Sequence, residues 1–220
     1  IMPEKFDFSK IEGRNKFEAL PKKEKEIVVN EAHKEAIRIE AENLLEKAKN
    51  QKKMRMRYAK EISKLMMPSL LERYDVEIEI KEKLEQRLIS RLYSQLFYLL
   101  EALPDHDLRG KKIVDLGCGS TGGTYEAEEL NKERQFEPWL SRFLHELGIK
   151  VVGIDIGNLD KEPYDHYSVN LLNKDSLSVI DKNSVDAVII SAFYDSPELQ
   201  KHLKYNYFQQ GKNKIKQILF

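Results

Sequence analysis

The hydrophobic pattern divides this chain into two parts. Up to about residue 103, apolar residues recur every three to four positions, whereas from Gly110 onward they gather in short β-branched runs between polar stretches. The first spacing is typical of amphipathic helices, and the second of strands that alternate with helices. The pattern predicts a helical region at residues 1–108 and an α/β domain at 109–220, joined by the turn-forming segment 104–109.

Good helix formers dominate the first part, and residues 21–103 contain no glycine. One or two helices are predicted over residues 22–65, with a break near Asn50, and Pro68 is expected to interrupt the helical pattern again. Apolar and acidic residues alternate at 76–80, so a short strand there competes with an early start of the next helix. That helix carries a broad apolar stripe that belongs against a core: Leu84, Leu88, Leu92 and Leu96.

The second part alternates between predicted strands and helices. A helix is expected over residues 124–148, with a break at Pro138 and a stop at Gly148. The last predicted strand is apolar at consecutive positions, as strands buried on both faces of a parallel sheet are. The fold class is therefore α/β with a doubly wound, mostly parallel sheet and an N-terminal all-helical region. The predicted strands cover residues 112–116, 151–156, 166–172 and 185–191.

The fourth predicted strand is too apolar to form the edge of a sheet, because exposed apolar edges invite aggregation. Only a helical stretch, residues 197–220, is predicted after it. Either the chain is truncated, or the helical region or a partner covers this edge. We expect truncation, because the chain starts at Ile1 rather than at methionine and stops on the apolar run that ends at Phe220.

Composition changes this picture little. Apolar residues make up 41% and charged residues 34%, and the formal net charge of +0 removes any whole-protein argument for polyanion binding. A single cysteine, Cys118, excludes an intrachain disulfide framework. No signal peptide or membrane-spanning run is apparent, so a soluble, cytoplasmic protein is expected. The histidines lack ligand spacing, so we read them as surface residues and predict no metal: His33, His106, His145, His166 and His202.

A glycine-rich loop at residues 117–122 follows the first predicted strand and has the spacing G-x-G-x-x-G. Asp115 lies two positions before it, where a carboxylate would repel a pyrophosphate and would attract a ligand carrying an ammonium group. Asp155 ends the second strand, where an acid can accept hydrogen bonds from ribose hydroxyls. Asp155 comes later in the sequence than the corresponding acid of a dinucleotide fold, so both acids disfavour a dinucleotide.

Two segments resemble the first two motifs of class I, Rossmann-like S-adenosylmethionine-dependent methyltransferases: Asp115-Leu116-Gly117-Cys118-Gly119 and Val152-Gly153-Ile154-Asp155-Ile156. Residues 184–191, with Asp186 near the start, resemble the fourth strand of that family, whose sheet continues for three more strands. Asn170 stands where the family usually has an acid that contacts adenine. The resemblance implies S-adenosylmethionine as methyl donor, S-adenosylhomocysteine as product, and these cofactor-binding residues: Asp115, Gly117, Cys118, Gly119, Asp155, Ile156, Asn170, Leu171 and Ser191.

The acceptor is less well defined. In this family the segment after the fourth strand borders the acceptor, which makes Tyr194 and Asp195 candidate catalytic contacts, with helix capping before Pro197 as the alternative. Residues 47–64 contain one acid, Glu61, and are otherwise strongly basic. They form either a solvated helix face or a nucleic-acid surface. The basic residues of this possible surface are Lys49, Lys52, Lys53, Arg55, Arg57 and Lys60.

The sequence therefore predicts an S-adenosylmethionine-dependent methyltransferase with an unidentified acceptor, in which the helical region serves as a lid or recognises the acceptor or a partner. One alternative is a methyltransferase that acts on RNA or DNA through the basic stretch. Another is a non-catalytic interaction protein built on a methyltransferase fold. An NAD-dependent oxidoreductase is disfavoured by Asp115.

Overall fold

The computed structural model describes residues 9–120, 134–173, 175–181, 184–190 and 216–219. These residues contain five α-helices and five β-strands. The helices are α1 (Ile11–Glu18), α2 (Lys22–Asn50), α3 (Arg55–Arg73), α4 (Ile78–Ala102) and α5 (Trp139–Glu146). The strands are β1 (Lys112–Leu116), β2 (Lys150–Asp155), β3 (Asp165–Ser168), β4 (Ala187–Ile190) and β5 (Lys216–Leu219).

The break predicted near Asn50 is confirmed, because α2 ends there and a single 3₁₀ turn (Lys52–Met54) leads into α3. The interruption predicted at Pro68 is wrong, since α3 continues through it to Arg73. Proline weakens a helix by removing one N–H donor. Here the apolar side chains on either side of Pro68 are buried in the core, and this packing holds the helix together: Met66, Met67, Leu70 and Leu71.

The residues at 76–80 form no strand, and α4 begins at Ile78. The predicted helix at 124–148 is present in its last part as α5, and residues 121–133 lie outside the described part of the chain. Gly148 follows α5 with a φ of +73°, as expected for a glycine stop signal.

The five strands form one sheet in the order β3-β2-β1-β4-β5, and every neighbouring pair is parallel. The parallel sheet is therefore confirmed. The expectation that only a helical stretch follows the fourth strand is wrong at residues 216–219, because these form β5 and pair with β4. Pairing on both sides places β4 inside the sheet, which agrees with its consecutive apolar residues.

Alternate residues of the strands pack into two separate apolar clusters. Val114, Val152 and Val188 lie next to one another in register and pack with residues from the connection between β3 and β4. Ile113, Val151 and Ile189 belong to the larger cluster, which contains the buried faces of α2, α3, α4 and α5. Both faces of the sheet are thus covered.

The larger cluster is shared by the helical region and the sheet. Leu92 and Leu96 of α4 belong to the same core as Trp139 and Phe143 of α5. The rings of Tyr74, at the end of α3, and Trp139 meet edge to face with centroids 6.0 Å apart. The domain boundary at residue 108 stays a prediction, but the two parts pack as one unit around this core. No helix in the described residues is long and apolar enough to cross a membrane.

Candidate functional site

The strand order locates the candidate site. In open parallel sheets, ligands bind beyond the carboxyl ends of the strands where the direction of strand addition reverses. Here that reversal lies between β1 and β4, with β2 on the other side of β1. The loop that follows β1 borders this point, and the residues that follow β2 and β3 continue along the same edge of the sheet.

The glycine loop turns sharply after β1, with φ values of +66° at Gly117 and +95° at Gly119. The N–H groups of Gly117 and Cys118 donate to the carbonyl of Ile154, at 2.7 and 3.2 Å. A Cβ at Gly119 would lie 2.0 Å from the carbonyl oxygen of Phe136. The close approach that glycine permits at this position is therefore to the protein's own chain, in the segment 134–138 that leads into α5.

Asp155 joins the glycine loop to the end of β2. Its two carboxylate oxygens accept hydrogen bonds from the N–H groups of Gly119, at 3.0 Å, and Gly157, at 3.1 Å. A carboxylate oxygen has two lone pairs, so each oxygen can accept another hydrogen bond. The next residue, Ile156, is 70% exposed and offers an apolar surface beside this carboxylate.

The segment after β3 lies beside the end of β2, because the N–H of Val169 donates to the carbonyl of Asp155 at 2.8 Å. In this segment the side-chain oxygen of Asn170 accepts from the N–H of Leu172, at 2.9 Å. Leu171 is buried in the smaller apolar cluster, so a ligand could meet only its main chain, whereas Leu172 is 55% exposed. Asp155, Ile156 and Asn170 therefore lie at neighbouring strand ends, and Asp155 contacts the glycine loop directly.

Asp115 is placed differently from the expected direct ligand contact. Its side chain is 0% exposed, and it accepts a hydrogen bond from the hydroxyl of Ser141 in α5 at 2.9 Å. Gly153 lies opposite it in register, and a Cβ there would lie 2.8 Å from the ring of Tyr164. A ligand could touch the Asp115 side chain only if the packing around Asp115 and Gly153 opened. Otherwise the carboxylate influences the loop only through the electrostatic effect of its charge.

The thiol of Cys118 is buried and donates to the carbonyl of Gly119 at 3.3 Å. Burial raises its pKa far above the usual range, and the charges of Asp115 and Asp155 raise the pKa further. The thiolate is the nucleophilic form of cysteine. Cys118 therefore fills space in the loop and is not a nucleophile.

We expect the folded chain to react with an aromatic disulfide reagent at mildly alkaline pH more than about a hundredfold more slowly than the denatured chain. Cys118 is the only cysteine, so the released chromophore measures this thiol alone. A simple peptide thiol gives the reference rate. Rapid modification of the folded chain would contradict the buried, protonated state.

A buried group of charges next to the site was not predicted from the sequence. Arg142, which is 1% exposed, donates to Glu162 at 2.6 and 3.0 Å and also pairs with Glu137, which in turn pairs with Arg134. Its guanidinium lies 3.9 Å from the ring centroid of Tyr74 and 4.7 Å from that of Trp139. This buried charge network joins α5, the end of α3 and the connection between β2 and β3.

The basic stretch at 47–64 makes several contacts within the protein. Lys49 pairs with Asp107 at 3.0 Å, and Arg57 pairs with Glu61 at 2.8 Å. Arg55 is 3% exposed, donates to the carbonyl of Ala48 and pairs with Glu101, so its prediction as a nucleic-acid contact is wrong. Lys60 lies 6.0 Å from the ring centroid of Tyr93, and Lys52 and Lys53 are exposed on the 3₁₀ turn.

The histidines only partly follow the prediction. His33 is exposed, whereas His106, His145 and His166 are half-buried and reach the surface only in part. The rings of His106 and His166 each hydrogen-bond a main-chain carbonyl, at 2.9 and 2.8 Å. Among the described residues, no group of three or more potential ligands could hold a metal ion. Several residues singled out from the sequence lie outside the described part: Gly122, Ser191, Tyr194, Asp195 and His202.

Comparison of the chain with protein-family models, with curated proteins and with solved structures found no match. The site is therefore defined by its own residues: the glycine turn after β1, the carboxylate of Asp155 after β2 and the hydrogen bond that joins them.

Proposed function

We propose that this chain is an S-adenosylmethionine-dependent methyltransferase with a Rossmann-like sheet, which binds its cofactor beyond the carboxyl ends of β1, β2 and β3. The hydrogen bond from the N–H of Gly119 to Asp155 carries the proposal. It holds a glycine turn, a carboxylate and the exposed side chain of Ile156 next to one another at adjacent strand ends.

The residues present suit an adenosine group. Asp155 has lone pairs left for the ribose hydroxyls, and a carboxylate at this position commonly takes that role. Ile156 and Leu172 offer exposed apolar surface for the flat face of a base, and Asn170 has an amide for its polar edge. The strand order is also that of doubly wound nucleotide-binding folds.

The same geometry disfavours a dinucleotide. A pyrophosphate is usually bound by main-chain N–H groups at such a loop. Here the N–H groups of Gly117 and Cys118 donate to Ile154, and that of Gly119 donates to Asp155. The buried charge of Asp115 adds repulsion toward a second anion. A ligand with a sulfonium and an ammonium group fits this electrostatic environment better.

S-adenosylmethionine supplies a methyl group that is already activated by its sulfonium. The protein's main contribution is to orient the acceptor and to exclude competing water. The residues predicted to border the acceptor, Tyr194 and Asp195, follow β4 in the sequence.

Replacing Asp155 by alanine should weaken binding of S-adenosylhomocysteine by roughly tenfold to a hundredfold, because charged hydrogen bonds to the ribose are lost. Calorimetric titration of the full chain measures this change. Asp165→Ala is a matched control, because Asp165 is an exposed acid at the opposite end of the neighbouring strand β3. Thermal unfolding of both variants shows whether the fold survives. Failure of the unaltered chain to bind, or undiminished binding by Asp155→Ala, would contradict the proposal.

A further inference from the structure

Helix α4 contacts segment 134–138, which packs against the glycine loop, through two arginines that lie one helical turn apart. The guanidinium of Arg91 donates to the main-chain carbonyl of Gln135 at 2.9 Å, and that of Arg87 donates to the side chain of Gln135 at 3.4 Å. The next carbonyl along the chain, that of Phe136, is the one packed against Gly119. Arg91 is therefore anchored one peptide unit from the atom that contacts the loop.

The position of Arg91 matters because of the charges around the glycine loop. Asp115 and Asp155 both carry carboxylates here, and the loop's first N–H groups are bonded to Ile154 and Asp155. An anionic group at the loop thus needs a positive charge from another element. Desolvation by the surrounding protein lowers the pKa of Arg91, and the charge of Asp115 opposes this shift, so the guanidinium lies within electrostatic reach of β1.

The side chain of Arg91 also keeps contact with solvent. A guanidinium has five N–H donors in a planar arrangement that matches a carboxylate. The amino-acid portion of S-adenosylmethionine ends in such a carboxylate, next to its ammonium group. The donor geometry of Arg91 therefore suits this end of the cofactor.

We propose that Arg91 binds the carboxylate of the amino-acid portion of the cofactor, so that α4 forms one wall of the methyl-donor site. This inference rests on the proposed function. It gives the helical region a role in holding the donor, in addition to any role as a lid or in recognising the acceptor.

The test compares two ligands that differ in the amino-acid portion. S-adenosylhomocysteine contains it, whereas methylthioadenosine has the same nucleoside and thioether sulfur without it. Calorimetric titration of the full chain carrying Arg91→Gln should show a loss of roughly tenfold to a hundredfold for S-adenosylhomocysteine and a change within about threefold for methylthioadenosine. Arg87→Gln is the matched control, because Arg87 is an arginine on the same helix that also contacts Gln135. It should change neither affinity by more than about threefold.

The outcomes separate this inference from the proposed function. Unchanged S-adenosylhomocysteine affinity in Arg91→Gln overturns the role of Arg91 and leaves the proposed function standing. Equal loss of both ligands means that the substitution disturbs the loop, and it also overturns the carboxylate contact. If neither ligand binds the unaltered chain, both proposals fail. Partial recovery of S-adenosylhomocysteine binding in Arg91→Lys, with methylthioadenosine unaffected, supports a charge contact.

Discussion

Replacing Gly119 by alanine should destabilise the fold by about 2–5 kcal/mol, whereas alanine at Gly148 should cost about 1–2 kcal/mol. Both glycines have a positive φ, +95° and +73°, so both substitutions strain the backbone. They differ in the space available. A Cβ at Gly119 meets the carbonyl of Phe136 at 2.0 Å, whereas nothing lies within 4 Å of a Cβ at Gly148.

Urea denaturation of the two variants measures the difference in the free energy of unfolding. The fluorescence of Trp139, the only tryptophan, follows the transition from the buried side chain. In Gly119→Ala the loop must shift away from segment 134–138, so S-adenosylhomocysteine binding should fall as well. Equal destabilisation of the two variants would mean that backbone strain alone, and not the contact with Phe136, makes alanine destabilising at position 119.

Replacing Arg142 by methionine should destabilise the fold by about 3–5 kcal/mol, because Glu162 and Glu137 would lose a shared buried partner. The control is Arg57→Met, which breaks the exposed pair with Glu61 and should change stability by less than about 1 kcal/mol. Far-ultraviolet circular dichroism in urea is the suitable measurement, since Arg142 contacts the Trp139 ring and would alter its fluorescence.

A second variant tests the cause of this loss. Arg142→Met combined with Glu162→Leu removes the unpaired carboxylate and leaves Glu137 paired with Arg134. We expect the double variant to be more stable than Arg142→Met alone, because a buried charge without a partner costs more than an apolar replacement. If Arg142→Met is no less stable than Arg57→Met, the buried charge network does not stabilise the fold.

The features that the sequence predicts correctly depend on local patterns or on a general rule of sheet geometry. The break at Asn50 follows from a change in the apolar face, and strands β1, β2 and β4 follow from their β-branched runs. Asp155 and Gly119 meet although they lie far apart in sequence, because the carboxyl ends of neighbouring parallel strands lie at the same edge of a sheet. That rule makes this part of the candidate site predictable.

Other features depend on partners that no local pattern identifies. Arg142 and Arg55 resemble surface charges in the sequence, and only their distant partners, Glu162 and Glu101, show that they are buried. Strand β5 is four residues long, and the sequence pattern gives no indication that it pairs with β4. Pro68 stays helical because the packing of the core around it outweighs the tendency of proline to interrupt a helix.

The core shared by the helices and the sheet also bears on how the chain folds during synthesis. Helices α2 to α4 leave the ribosome before any strand does, and they can pack on one another at once. The surface of α4 that contacts α5 has no partner until residues 139–146 have been made. Until then the nascent chain exposes apolar leucines, and this is the stage at which chaperones would protect it from aggregation.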